Sequence, residues 1–275
     1  MPLFTIDESK CARDGICAAE CPVSVIDFKG NGSVPVPARG AGRICINCGH
    51  CVAVCPHGAF SLATMSADDC PGVDESLALS PEQAEQFVRT RRSIRRYLDQ
   101  PVRRADVERL LRIVRYAPSG SNSQQVGWVV VQSRPEVKRM AGMVIDWMRD
   151  MVAKGQPAMG PYRLENIIGA FESGYDIICR GAPAMLVAHA PEMPGSVGSD
   201  CTIALTHADL VAPTLGLGTC WAGFFMFAAR AWQPLREALR IPEGHAPYGA
   251  LMLGHPEFQY YRLPLRKEPK VTWLG

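Results

Sequence analysis

Cys11-Ala-Arg-Asp-Gly-Ile-Cys17-Ala-Ala-Glu-Cys21-Pro22 and Cys45-Ile-Asn-Cys48-Gly-His-Cys51-Val-Ala-Val-Cys55-Pro56 are one pattern written twice. Cys11 answers to Cys45, Cys17 to Cys51, Cys21 to Cys55 and Pro22 to Pro56, each 34 positions apart. One slot breaks the repeat: Asp14 stands where the second copy has Cys48. The second run has the spacing C-x2-C-x2-C-x3-C-P, in which three thiolates hold one iron-sulfur cluster and the fourth reaches across to another. By that rule one cluster takes Cys45, Cys48, Cys51 and Cys21. The other takes Cys11, Cys17, Cys55 and whatever the Asp14 slot offers.

The first site is complete and the second lacks one sulfur. Either Asp14 supplies a carboxylate to the fourth iron, or the site holds a three-iron cluster with no ligand there. The expectation is a 4Fe-4S cluster with a labile fourth iron, because carboxylate is a harder ligand than thiolate. Gly15 and Gly49 leave room for backbone amides near inorganic sulfur, and Pro22 and Pro56 stop each ligand-bearing turn. Paired C-x2-C motifs also hold structural zinc, but zinc takes four ligands per site and has no use for three close cysteines followed by Cys-Pro. A disulfide framework suits a small secreted chain, and no signal peptide is read at the start of this one. His50 and His57 are expected to tune or shield a cluster. Cys70, Cys179, Cys201 and Cys220 lack ligand spacing and read as small apolar filler.

At 275 residues and 47% apolar content the chain can build one full core plus a small satellite. A formal charge of +2 gives no reason to expect nucleic acid. No apolar run reaches the roughly 18 residues of a membrane span, so a soluble cytoplasmic protein is expected. The cysteine repeat reads as a two-cluster, ferredoxin-like domain over 1–65, with short strands at Phe4–Ile6 and Ser61–Ala63. Residues 66–79, broken by Pro71-Gly72, read as a linker. Ser80-Pro81-Glu82-Gln83 then carries a capping serine, a proline at the first helical position and a glutamine at N3, which starts a helix and a second domain over 80–275. Within it Arg104–Tyr116, Glu136–Ala153 and Asp200–Leu215 have helical periodicity, the last closed by Gly216 with Pro213 bending its final turn. Val126–Gln132, Ala184–Ala188 and Ala250–Leu253 read as buried strands. The mixture predicts an α+β fold.

Arg89, Arg91, Arg92, Arg95 and Arg96 crowd around Ser93. A basic run can be a nucleic-acid or import patch, a solvated helix face or a phosphate site. Ser93 and Tyr97 among the arginines favour the third, since guanidinium forks and a hydroxyl match phosphomonoester oxygens. His207, inside an apolar helix, reads as a satisfied core residue. Trp221, Phe224, Phe225 and Phe227 read as core rather than as a substrate wall.

Arg91-Arg-Ser-Ile-Arg-Arg-Tyr97 resembles the flavin-phosphate motif of the nitroreductase family. Ala117-Pro-Ser-Gly-Ser-Asn-Ser-Gln124 with Trp128–Val131 is similar to that family's flavin loop and strand. Asp200-Cys-Thr-Ile-Ala204 through Leu215-Gly-Leu-Gly-Thr-Cys-Trp-Ala-Gly223 resembles its central helix and the loop facing the flavin. Leu253-Gly-His-Pro-Glu257 and Pro264-Leu-Arg-Lys267 resemble its C-terminal end. With the cysteine repeat, the whole chain resembles ferredoxin-fused nitroreductases.

The resemblance implies FMN, with Arg91, Arg92, Ser93 and Arg95 on its phosphate and ribityl chain. It implies that Pro118, Ser119, Asn122 and Gln124 line the ring, that Ala222 and Gly223 bring backbone N–H groups to the ring's redox edge, and that Arg266 or Lys267 completes the phosphate site. Some members have an acidic residue where Ala222 stands, so no side-chain acid is expected there. It also implies a homodimer. The reading is an oxidoreductase fed by reduced ferredoxin or a similar carrier, passing electrons through two clusters and FMN to a nitroaromatic, quinone or activated alkene. A redox sensor or electron-transfer adaptor without turnover is the alternative.

Overall fold

The computed structural model describes every residue except Met1 and Asn31. Met1, the expected start of the first domain, therefore lies outside the described residues. The chain divides into two compact units, Met1–Ala78 with Gly120–Ser123, and Leu79–Ser119 with Gln124–Gly275. Among the described residues no helix is long and apolar enough to cross a membrane.

In the first unit the sequence repeat becomes a structural one. The elements are β1 (Phe4–Ile6), α1 (Ile16–Ala19), β2 (Ile26–Asp27), β3 (Val36–Pro37), α2 (Ala41–Ile44), α3 (His50–Ala53) and β4 (Phe60–Leu62). β4 begins one residue before the expected strand. β1 runs antiparallel to β4, with Phe4 opposite Leu62 and Ile6 opposite Phe60, and β2 pairs with β3. Helices α1 and α3 start 34 residues apart, as the ligands do. Each is preceded by a left-handed glycine, Gly15 at φ 73° and Gly49 at φ 75°. A Cβ on either would strike Phe28 at 2.5 Å or the Met65 sulfur at 2.8 Å. These glycines are thus required by backbone sign and by packing, as well as by any approach to sulfur. Four-residue helices do not persist on propensity alone. They rest on a core of Phe4, Val25, Ile26, Val52, Phe60 and Leu62, with the Phe4 and Phe60 rings 4.5 Å apart.

The second unit is a four-stranded antiparallel sheet covered by helices on both faces. It contains α4 (Pro81–Thr90), α5 (Arg104–Val114), β5 (Gly127–Val131), α6 (Arg134–Ala153), the small hairpin β6 (Ala158–Met159) and β7 (Tyr162–Arg163), and α7 (Leu164–Glu172). There follow β8 (Ala184–Pro191), α8 (Val197–Val211), β9 (Gly218–Trp221), α9 (Gly223–Ala231), α10 (Gln233–Ala238) and β10 (His245–Gly254). The sheet order is β5-β8-β10-β9, with Val129 opposite Val187, Leu251 opposite Leu186 and Met252 opposite Cys220. Both central strands are buried on two faces, which is why their sequences lack polar alternation. Met185, Val187, Ala250 and Met252 join the core containing Val144 of α6 and Phe225 of α9. Ala184, Leu186, Leu251 and Leu253 join that of Leu110 on α5 and Leu205 on α8. The α+β expectation holds.

Ser80 caps α4 in a full capping box with Gln83. α8 tightens into a 3-10 turn at Ala212–Leu215, carrying Pro213, and stops at left-handed Gly216, φ 70°. Cys179, Cys201 and Cys220 are buried filler as expected, whereas Cys70 is exposed.

Candidate functional site

The cysteines of the repeat lie in two groups. A cavity in the first unit is lined by Cys21, Cys45, Cys48 and Cys51, closed by Val25, Phe60 and other apolar side chains. Burial pushes the Cys51 thiol up to about 12, and the charges that add to this are those of Cys48 and Cys21. Cys17 is likewise raised by burial, with Cys11 and Cys55 as its charged neighbours. Sulfur atoms so crowded and desolvated resist ionising together unless a bound cation neutralises them, which is the environment a cluster requires. Backbone amides already serve two thiols: Val25 N–H donates to Cys21 Sγ at 3.4 Å and Ala59 N–H to Cys55 Sγ at 3.2 Å. These bonds are again 34 residues apart. Among the described residues no three His, Cys, Asp or Glu side chains converge on a single metal-ion position. Thiolates bound to different irons of one cluster are spread around it, whereas zinc ligands meet at one point. The donor set fits iron-sulfur clusters.

Asp14 occupies the odd slot as a turn cap, its Oδ1 accepting from Ile16 N–H at 3.1 Å. His50 is held by Glu20, Nδ1 to Oε1 at 2.9 Å, with both side chains exposed.

In the second unit the arginine run leaves α4 and lies beside β9. Ser93 forms a parallel bridge with Thr219, and Ile94 N–H donates to the Thr219 carbonyl at 2.7 Å. Gly218 makes this approach possible, since a Cβ there would stand 2.4 Å from Ile94. The buried Tyr97 hydroxyl donates to the Ile94 carbonyl at 2.7 Å, and burial raises its pKa. The arginines then divide. Arg89 pairs with Glu85 and Arg96 with Glu257, which makes them surface ion pairs. Arg91 Nη1 meets buried Asp209 of α8 at 3.2 Å, and Thr219 Oγ1 donates to the other carboxylate oxygen. Arg92 stacks 5.6 Å over Tyr260, with its Nε buried and, among the described residues, without a hydrogen-bond partner. Arg95 lines a cavity with Arg180, Cys220, Trp221, Gly223 and Phe227. Burial raises the Cys220 thiol against the pull of Arg95 and Arg180, so it stays protonated.

Arg180 escaped the sequence reading. It sits at φ 55°, in a loop whose Ile178, Cys179 and Gly181 amides all donate to the Asp176 carboxylate. That cage holds an unfavourable backbone in place. Asp209 was also missed; only its pairing with Arg91 reveals it. The aromatic group divides as well: Phe225 is core, while Trp221, Phe224 and Phe227 line the cavity.

Other expected positions behave differently. The Ala222 N–H donates to the Ala250 carbonyl at 3.0 Å, so the sheet consumes it and it is not presented to a ring. Gly223, the first residue of α9, lines the cavity and has open space where a Cβ would stand. Ser119 Oγ accepts from Gln124 N–H at 3.0 Å, and Pro118 is exposed. The Asn122 amide lies in the first unit, donating to the carbonyls of Ile46 at 3.2 Å and Asn47 at 3.0 Å. Arg266 and Lys267 lie in the exposed stretch after β10, and the hydrogen bond of Arg266 is to neighbouring Leu265. Among the described residues no hydrogen bond or ion pair joins either of them to Arg91, whose partner is Asp209. His207 Nδ1 lies 2.9 Å from the Ile203 carbonyl, as a satisfied helix residue should.

Residues 88–255 match the nitroreductase family and residues 3–56 match the 4Fe-4S dicluster domain. The FMN reductase (NAD(P)H) of Bacillus subtilis is 32% identical over 193 residues, which are 66% of this chain and 69% of that protein. A nitroreductase with bound FMN from Bacteroides fragilis has 21% identity and a TM-score of 0.54, covering 70% of this chain and 99% of its own. Another from Desulfitobacterium hafniense has 21% identity and a TM-score of 0.57, covering 72% and 100%. The chain belongs to the nitroreductase family of oxidoreductases and carries a 4Fe-4S dicluster domain at its amino end.

Proposed function

We propose that the protein is an iron-sulfur flavoprotein that carries single electrons through two clusters to FMN and reduces a small electrophile such as a nitroaromatic, quinone or activated alkene. The observation that carries this reading is the gathering of seven cysteines around two buried thiols, Cys17 and Cys51, within a chain whose other unit belongs to a family with FMN-bound members. FMN would supply the conversion between one-electron and two-electron chemistry. Cys45, Cys48, Cys51 and Cys21 hold one cluster. Cys11, Cys17 and Cys55, with Asp14 as the candidate fourth ligand, hold the other.

Arg91, kept in place by Asp209, would grip the phosphate together with Ser93 and the partnerless edge of Arg92. Arg95 and Arg180 would put positive charge beside the ring, where it favours the reduced, more anionic form. Gly223 N–H at the start of α9 adds a donor of the same sign. Trp221, Phe224 and Phe227 would exclude water from the acceptor. Pro118, Ser119 and Gln124 remain candidates for the ring, and Arg266 or Lys267 for the phosphate, within a homodimer. The donor is reduced ferredoxin or a similar one-electron carrier; the Bacillus relative's name makes NAD(P)H the comparison to run.

The test is anaerobic purification with iron, sulfide and flavin counted per chain, followed by reductive titration. Two clusters and one FMN per chain, with flavin reoxidised by a small acceptor, support the proposal. Zinc in place of iron, or a colourless preparation, ends it.

A further inference from the structure

We infer that Asn122 is a positioning residue for the cluster of Cys45, Cys48, Cys51 and Cys21, acting through the two-residue segment between Cys45 and Cys48. The inference rests on the cluster reading proposed above. It departs from the flavin contact that sequence resemblance suggests for this residue.

The Asn122 carboxamide donates to two successive carbonyls, those of Ile46 and Asn47, from 76 and 75 residues away. Ile46 and Asn47 are the whole of the spacer between the first two thiolates. Asn47 is left-handed, φ 51°, and its side chain is tied down too, Oδ1 accepting from Thr64 Oγ1 at 2.5 Å. The donor loop bears matching strain, with Ser121 at φ 50° and Asn122 at φ 54°. Non-glycine residues in that region are strained, and persist where surrounding contacts over-determine them. A carboxamide suits the task because one NH2 has two hydrogens for two acceptors and carries no charge to bury.

The repeat supplies an internal control. Arg13, φ 56°, is the counterpart of Asn47 in the incomplete site. Among the described residues no side chain donates to the carbonyl of Ala12 or Arg13; Arg13 itself reaches out to the Gly32 carbonyl at 2.9 Å. Among the described residues the clamp therefore exists on the all-cysteine site alone, and it comes from a segment outside the repeat. Hydrogen-bonded carbonyls present less negative charge to their surroundings, and nearby dipoles help to set a cluster's potential. Asn122 thus holds the ligand spacer in shape and makes this cluster easier to reduce than an unclamped twin.

The experiment is an anaerobic, EPR-monitored redox titration of the full chain, with the signal assigned through its perturbation in Cys48→Ser. Asn122→Ala is expected to lower the midpoint potential of that cluster and leave the other unchanged, with flavin content intact. Selective loss of that cluster's signal supports the same role. If Asn122→Ala loses both clusters, Asn122→Ser decides: it keeps one donor and must lower the potential of that cluster while leaving the other unchanged. Unchanged potentials with full iron content overturn the inference, as does flavin loss with both clusters unaltered. Absence of iron from the wild-type protein would instead defeat the cluster reading, so the two failures are distinguishable.

Discussion

Asp14 and Asp209 are two carboxylates that sequence reading treats unequally. Asp14 is conspicuous because the repeat names the cysteine it replaces, yet in the structure it does the ordinary work of a turn cap. Asp14→Cys is expected to give a more robust second cluster, seen as slower loss of iron in air and an altered EPR signal. If iron content and spectra match the wild type, Asp14 is a bystander. Asp209 is invisible in sequence, one acidic residue in an apolar helix, yet it is 4% exposed and paired with Arg91 and Thr219. Removing its charge frees Arg91 to swing, although a neutral amide can still accept from Thr219. Asp209→Asn should therefore fold but bind FMN about tenfold more weakly, roughly 1.4 kcal/mol, in a flavin fluorescence titration. Unchanged affinity would show that Arg91 needs no anchor.

At the scale of elements, what was legible had a local cause. The capping box of α4, the glycine that ends the turn after α8 and the paired helices of the cysteine repeat all depend on residues a few positions apart. β9 reads as a loop in the sequence, because Leu215-Gly-Leu-Gly-Thr-Cys-Trp-Ala-Gly223 is rich in glycine and becomes a strand only through pairing with β10. The strain at Arg180 and the reach of Asn122 across 75 residues have no local signal at all. Gly218 shows what such tertiary placement demands. Gly218→Ala would push a methyl against Ile94 at 2.4 Å and pry the arginine run from β9. The variant should lose FMN while far-UV circular dichroism stays near wild type, since β8 and β10 keep their own partners. Retained flavin would mean that the run is held elsewhere. By contrast Ser80→Ala, which removes only a cap, should cost about 1 kcal/mol of stability and leave flavin binding alone.

The two units differ in what holds each together, and this decides how the molecule should come apart. The second has an extended core on both faces of its sheet, built from long helices and fully buried strands. Among the described residues the first has a core cluster of nine buried apolar residues, among them the thiols Cys17 and Cys51, and its three α-helices have four residues each. So small a core cannot offset the chain entropy of some eighty ordered residues at about 1.5 kcal/mol apiece, and domains of this size lean on metal or disulfide staples. All eleven cysteines are unpaired in the structure, and the match of residues 3–56 to a 4Fe-4S dicluster domain points to metal-thiolate bonds as the staples. Thermal unfolding of the holoprotein should then follow two transitions, one of them coincident with bleaching of the cluster absorption. Chelation of iron under mild oxidation should abolish that transition and leave the other, with FMN still bound. A single transition that survives full iron removal would show that the first unit stands on its apolar core after all.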